Sequence, residues 1–176
     1  MERIFGIGEK TGGRGFTLIE LMVTLAVAAI LLTIGIPSFQ QFIANNRASA
    51  GANELLAALQ LARSEAVRRN SFASVCPSTN GTTCTGGTEW ARGWIVFHDD
   101  SGDGAFDNAD DELLRIGAPL ASSVTITGPA GSRTYTNSGV TAAANFDLAV
   151  SAGGNPLRCV EVISSGAARV LQGACS

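Results

Sequence analysis

An α+β fold, a long amino-terminal helix packed on an antiparallel β-sheet head, is predicted by three features of this 176-residue sequence. An almost unbroken apolar run occupies residues 16–36, and residues 38–70 then carry apolar side chains at three- and four-residue steps. From residue 71 onward, short β-branched and aromatic runs alternate with Gly-, Ser- and Asp-rich turns. The length suits one domain plus an appendage. Only 15% of residues are charged and 45% are hydrophobic, more apolar content than a small head needs for its core. A net charge of −3 gives no overall sign of a nucleic-acid protein.

The excess apolar content lies in FTLIELMVTLAVAAILLTIGI, residues 16–36, where Glu20 is the one charge. As a helix, 21 residues span about 31 Å, the thickness of a bilayer's hydrocarbon core. Arg3, Lys10 and Arg14, against Glu2 and Glu9, precede it and keep that end in the cytoplasm. The expected arrangement is a single pass through the inner membrane with the head in the periplasm. An ordinary secretory signal has a shorter apolar stretch followed by small residues, whereas Gly15 here precedes the run.

The junction Arg14-Gly15-Phe16-Thr17-Leu18-Ile19-Glu20 resembles the prepilin peptidase site of type IV pilins and type II secretion pseudopilins. The resemblance implies cleavage after Gly15, N-methylation of Phe16, and partners that include prepilin peptidase and other minor and major pilins or pseudopilins. A carboxylate in an apolar helix costs about 2.5–3.5 kcal/mol on insertion scales, so Glu20 needs a partner. The resemblance implies that it meets the positive amino terminus of a neighbouring subunit and sets the axial register of assembly. Pro37 removes a backbone hydrogen bond, and a bend or melted turn is expected there. Pilins commonly carry a proline at this place.

The chain therefore divides into a leader (1–15), a transmembrane and assembly helix (16–37), an amphipathic helix (38–70) and a β head (71–176). Leu55, Leu56, Leu59, Ala62, Ala66 and Val67 form the stripe expected to face the head. Arg47, Arg63, Arg68 and Arg69, with Glu54 and Glu65, read as a solvated surface. The stretch LLAALQLARSEAVRRN, residues 55–70, resembles the helix of the GspH/FimT-like branch, which includes FimT- and FimU-type minor pilins.

Strands are expected at residues 72–76, 90–98, 113–116, 124–127, 133–136, 146–150, 157–163 and 168–171, with a surface connection at 137–145. The cysteines fall into two local pairs, Cys76 with Cys84 and Cys159 with Cys175. Two short disulfide loops are the simplest connectivity for an exported head. A zinc site competes with it, although no CxxC is present and the sole histidine, His98, is far from every cysteine.

Seven of the chain's acids lie between Asp99 and Glu112. Counting from Asp99, Asp99, Ser101, Asp103, Asp107 and Asp110 fall at the oxygen-ligand positions of an EF-hand loop, with Gly104 at its glycine position. Ser101 stands where an acid is usual and Asp110 where a bidentate glutamate is. Calcium binding is one reading; the other is a solvated turn whose aspartates cap backbone groups. No other cofactor is expected.

Residues 159–170 resemble the family's final hairpin, where DNA-receptor FimT proteins carry Gly-Arg-x-Arg. Here the order is Gly166-Ala167-Ala168-Arg169, so the resemblance extends a DNA role to Arg169 alone. Neither a histidine-paired nucleophile nor a pair of acid–base carboxylates is recognisable, which argues against an enzyme. The function implied is that of a minor pilin in the tip or priming complex of a type IV pilus. The alternatives are a GspH-like pseudopilin of a type II secretion system and a DNA-binding receptor.

Overall fold

A computed structural model describes residues 15–141, 146–153 and 155–175, and gives only the backbone of Asn155 and Pro156. The leader, with Arg3, Lys10 and Arg14, and residues 142–145 of the expected surface connection fall outside the described residues. The chain forms two compact units, Met1–Gln40 and Gln41–Ser176.

Helix α1, Leu18–Arg69, runs through both. It starts where Thr17 acts as N-cap: the Glu20 backbone N–H donates to Thr17 Oγ1 at 3.2 Å. Thr17 and Glu20 stand at the spacing of a capping box, and the carboxylate occupies the first turn, where the helix dipole favours a negative charge. The expected melted turn at Pro37 is not found: among the described residues, helix continues through it. Proline deletes one bond of the ladder while its neighbours keep theirs. Thr33, whose carbonyl would have received that bond, donates its own hydroxyl to the Ile30 carbonyl at 2.7 Å. At the other end Asn70, at φ 53°, closes the helix in a left-handed C-cap. The Ser71 N–H reaches back to the Ala66 carbonyl at 3.1 Å.

The head contains two four-stranded antiparallel sheets, where one sheet was expected. The first has the order β3-β2-β1-β5, built from β1 (Phe72–Pro77), β2 (Trp94–Asp99), β3 (Glu112–Gly117) and β5 (Arg133–Tyr135). The second has the order β4-β6-β7-β8, built from β4 (Val124–Thr127), β6 (Phe146–Ala152), β7 (Asn155–Val162) and β8 (Ala168–Gln172). Each strand falls within a residue or two of a predicted run, except that residues 90–98 are divided. Trp90–Arg92 form a 3-10 turn, and Gly93, at φ 121°, makes the break before β2 begins.

One core joins α1 to both sheets. Ala48, Ala52, Leu55, Leu59, Ala62 and Ala66 are fully buried against Val75, Trp94, Val96, Tyr135, Leu148 and Val160. These helix positions follow the 3.6 period; Leu56 and Val67 lie about one residue off it. Leu56 is accordingly half-buried and Val67 is 51% exposed, which corrects the predicted stripe. Small residues dominate the helix side, so head side chains as large as Trp90, in the 3-10 turn, and Trp94, in β2, fill the space between. The opposite face of the first sheet carries a second, smaller cluster of Cys76, Ile95 and Phe97, covered by Cys84 and Phe106.

Candidate assembly site

The amino-terminal unit carries the residues expected to direct processing and assembly, Gly15, Phe16, Glu20 and Pro37. Phe16 is 82% exposed, and Leu18, Ile19, Met22, Leu25, Ile30 and Ile34 are likewise exposed along the helix. Helix α1 is long and apolar enough to cross a membrane, and its most apolar window is exposed. This surface is left for lipid or for other helices. Glu20 sits one turn into it, with no hydrogen bond from its carboxylate found among the described residues. Gly15 and Phe16 lie just before the first turn, outside the hydrogen-bonded ladder.

The two cysteine pairs are disulfides, Cys76–Cys84 and Cys159–Cys175, which leaves these sulfurs no thiolate to ligate zinc. They close rings across 8 and 16 residues. Each such ring restricts the unfolded chain, a stabilisation of about 2–4 kcal/mol. Cys76 also belongs to the second core cluster, where Phe106 meets Phe97 edge-on with ring centroids 5.2 Å apart. The acidic loop is thereby pinned to the sheet by an apolar anchor.

Within that loop the acids turn inward to the backbone. Asp99 is fully buried. Its Oδ1 accepts the Gly102 N–H at 2.6 Å and the Ser101 hydroxyl at 3.3 Å. Its Oδ2 accepts the Gly104 N–H at 2.9 Å and the Ser74 hydroxyl at 2.6 Å. Asp103 accepts from Ala105 N–H, and Asp107 from Ala109 N–H. Asp111, which the ligand count passes over, bridges the loop by accepting from Asp100 N–H at 3.0 Å and Asp107 N–H at 2.9 Å. Among the described residues no three of His, Cys, Asp and Glu converge where a metal ion would sit. Ser101, Asp103, Asp107 and Asp110 line one surface depression of the loop together with Asp111, whereas Asp99 is turned to the backbone. EF-hand spacing alone could not reveal that Asp99 sits at a strand end, where Ser74 and two loop amides claim it.

The helix charges are more than a solvated surface. Arg63 donates to the Gly139 carbonyl at 2.9 Å and the Ser165 carbonyl at 3.1 Å, tying two loops to the helix. Arg69 joins Glu65 at 2.9 Å and Glu112 on β3 at 2.5 Å, while Arg68 also pairs with Glu65. These arginines hold the Glu65 and Glu112 carboxyls below the usual carboxylate range. Arg133 and Arg158, the arginines nearest Arg169 in sequence, do not join it in a basic patch. Arg169 pairs with Glu161 at 2.5 Å. Arg133 is 3% exposed and stacks on the Phe146 ring at 4.2 Å. Arg158 shares its strand parity with the buried Val160 and Val162, opposite to that of Glu161, and so faces away from Arg169.

Residues 51–166 match the family described as type II transport protein GspH. The chain belongs to the GspH family. Residues 12–36 also match the prokaryotic N-terminal methylation motif. Fimbrial protein Q of Moraxella bovis is 33% identical over 98 residues, covering 53% of this chain and 61% of that protein. Prepilin peptidase-dependent protein D of Escherichia coli is 60% identical over 30 residues, 17% of this chain and 20% of that protein. The chain thus spans about three fifths or less of these curated relatives. The type IV minor pilin FimU of Pseudomonas aeruginosa shares the fold, with a TM-score of 0.54 and 20% identity over 70% of this chain and 91% of that one. The minor pseudopilin EpsH of Vibrio cholerae does too, with a TM-score of 0.52 and 15% identity over 75% and 98%. This GspH-family chain thus carries the prokaryotic N-terminal methylation motif and shares its fold with a type IV minor pilin and a minor pseudopilin.

Proposed function

We propose that this protein is a minor pilin of a type IV pilus, processed between Gly15 and Phe16 and built into the tip or priming complex that starts the filament. The observation that carries this reading is the 33% identity to a fimbrial protein over 98 residues, several times the length of the methylation motif. In the mechanism, residues 16–36 anchor the subunit in the inner membrane with the head in the periplasm. Cleavage exposes the Phe16 amine. The Glu20 carboxylate of one subunit then pairs with the amine of the next, because a charge in an apolar helix lowers its cost only by finding its opposite. The stapled head supplies the lateral contacts to other minor and major pilins.

A second reading, a pseudopilin of a type II secretion system, is favoured by the GspH match over residues 51–166. Deleting the gene separates the two: a pilus subunit's loss reduces surface pili and twitching while protein secretion continues. The converse result assigns the chain to secretion. The DNA-receptor reading has less support, since backbone affinity grows with the number of phosphates neutralised and Arg169 is already paired.

A further inference from the structure

The turn after β1 carries the chain's one Asn-Gly step, Asn80-Gly81, inside the Cys76–Cys84 ring. Asn80 is exposed, whereas Ser78 is 3% exposed. The groups around the Asn80 side-chain amide resemble those that an acyl-transfer site supplies. Its Oδ1 accepts the backbone N–H of Thr82 at 2.9 Å and of Thr83 at 3.0 Å. That is the spacing at which paired amides stabilise an oxyanion. Its Nδ2 donates to Thr83 Oγ1 at 3.0 Å. The Ser78 hydroxyl accepts the Gly81 N–H at 3.0 Å and donates to Asn80 Oδ1 at 3.2 Å. One hydroxyl therefore bridges the Gly81 nitrogen and the side-chain amide oxygen of Asn80. Gly81, at φ 75°, brings no side chain to obstruct its own nitrogen.

We propose that Asn80-Gly81 is a self-modifying site, at which the folded turn converts Asn80 to aspartate and isoaspartate through a succinimide. The Gly81 nitrogen attacks Asn80 Cγ and forms the new C–N bond. Its proton passes to Ser78 Oγ as the Ser78 proton passes to Oδ1, and the Thr82 and Thr83 amides hold the tetrahedral oxygen. The proton on Oδ1 passes to Thr83 Oγ1 as the Thr83 proton passes to Nδ2, the old C–N bond breaks, and ammonia leaves. Water then opens the ring at either carbonyl. One water enters and one ammonia departs, with no change of oxidation state.

The product suits the site. A carboxylate accepts the Thr82 and Thr83 N–H groups more strongly than an amide does, and Arg92 lines the same surface groove. The groove also reaches Ile116 at the end of edge strand β3, so the change adds negative charge to an exposed corner of the head. A head therefore acquires this charge with age.

The test is peptide mapping by mass spectrometry of full-length protein in detergent micelles, incubated at neutral pH and read for amide-to-acid conversion at Asn80. The comparison is the same chain reduced and unfolded in urea, where Asn80-Gly81 reacts as a free peptide. We expect the native rate to exceed the unfolded rate by about tenfold or more, below the roughly 10²–10⁴-fold available to a positioned acid–base group. Ser78→Ala removes that advantage, while conversion at Asn137-Ser138 is unchanged. If Ser78→Ala does not fold, the wild-type comparison alone decides. A native rate equal to or below the unfolded rate overturns the proposal and shows that the turn protects the amide.

Discussion

Replacing Asp99 by asparagine keeps the side chain's shape and removes half of its accepting capacity. Both carboxylate oxygens are in use, each by one glycine N–H and one serine hydroxyl. In Asp99→Asn an NH2 group must face one of these amides, and Gly104 N–H has a buried bond to lose. A charge-assisted bond contributes about 1.5–3 kcal/mol and a buried N–H left unpaired costs about 1–3 kcal/mol; the two overlap. The expected loss is about 2–4 kcal/mol, or a Tm lower by about 5–15 °C for a head of this size. Thermal unfolding of the full chain in micelles, followed by near-ultraviolet circular dichroism, reads it directly. The same melts in calcium and in magnesium distinguish the loop's two readings, since a calcium-binding loop raises Tm by mass action. A drop below about 2 °C would refute the structural role of Asp99. Stabilisation by calcium well beyond magnesium, lost in Asp99→Asn, would restore the metal reading.

Two further outcomes follow from the same structure. Burial pushes the phenol of Tyr135, the chain's one tyrosine, up to about 12. A raised folded pKa means that its contribution to stability is complete below the unfolded value near 10 and is lost as pH rises through about 12. Absorbance at the phenolate band should titrate near 10 in denaturant and about two units higher in the native head; coincident curves contradict the burial. Glu20→Ala should insert normally, because the helix becomes more apolar, yet be recovered poorly with partner pilins in affinity pulldowns. Undiminished recovery of those partners would remove Glu20 from the assembly mechanism.

What the sequence disclosed followed the reach of each interaction. The apolar run and the strand runs are local, and the periods of helix and strand expose them directly. The short cysteine pairs were equally near in sequence. Two sheets instead of one depend on β1 pairing with β5, some sixty residues away, which no local pattern encodes. Gly93 broke a predicted strand because a left-handed backbone outweighs the β propensity of its neighbours. Arg63 and Arg69 were read as solvated because their carbonyl and carboxylate partners come from loops and strands distant in the chain. The acidic loop was the hardest case. Its ligand-like spacing is visible in sequence, but whether Asp99 serves a metal or Gly102, Gly104 and Ser74 depends on where β1 and β2 place it.

The central claim, a membrane-held precursor converted to a filament subunit, is tested most directly at the amino terminus of the protein recovered from sheared, purified pili. Mass spectrometry of that material should find the chain beginning at an N-methylated Phe16, with residues 1–15 absent. A chain in the filament that still begins at Met1, or its absence from pili together with its presence in a secretion pseudopilus, would contradict the account.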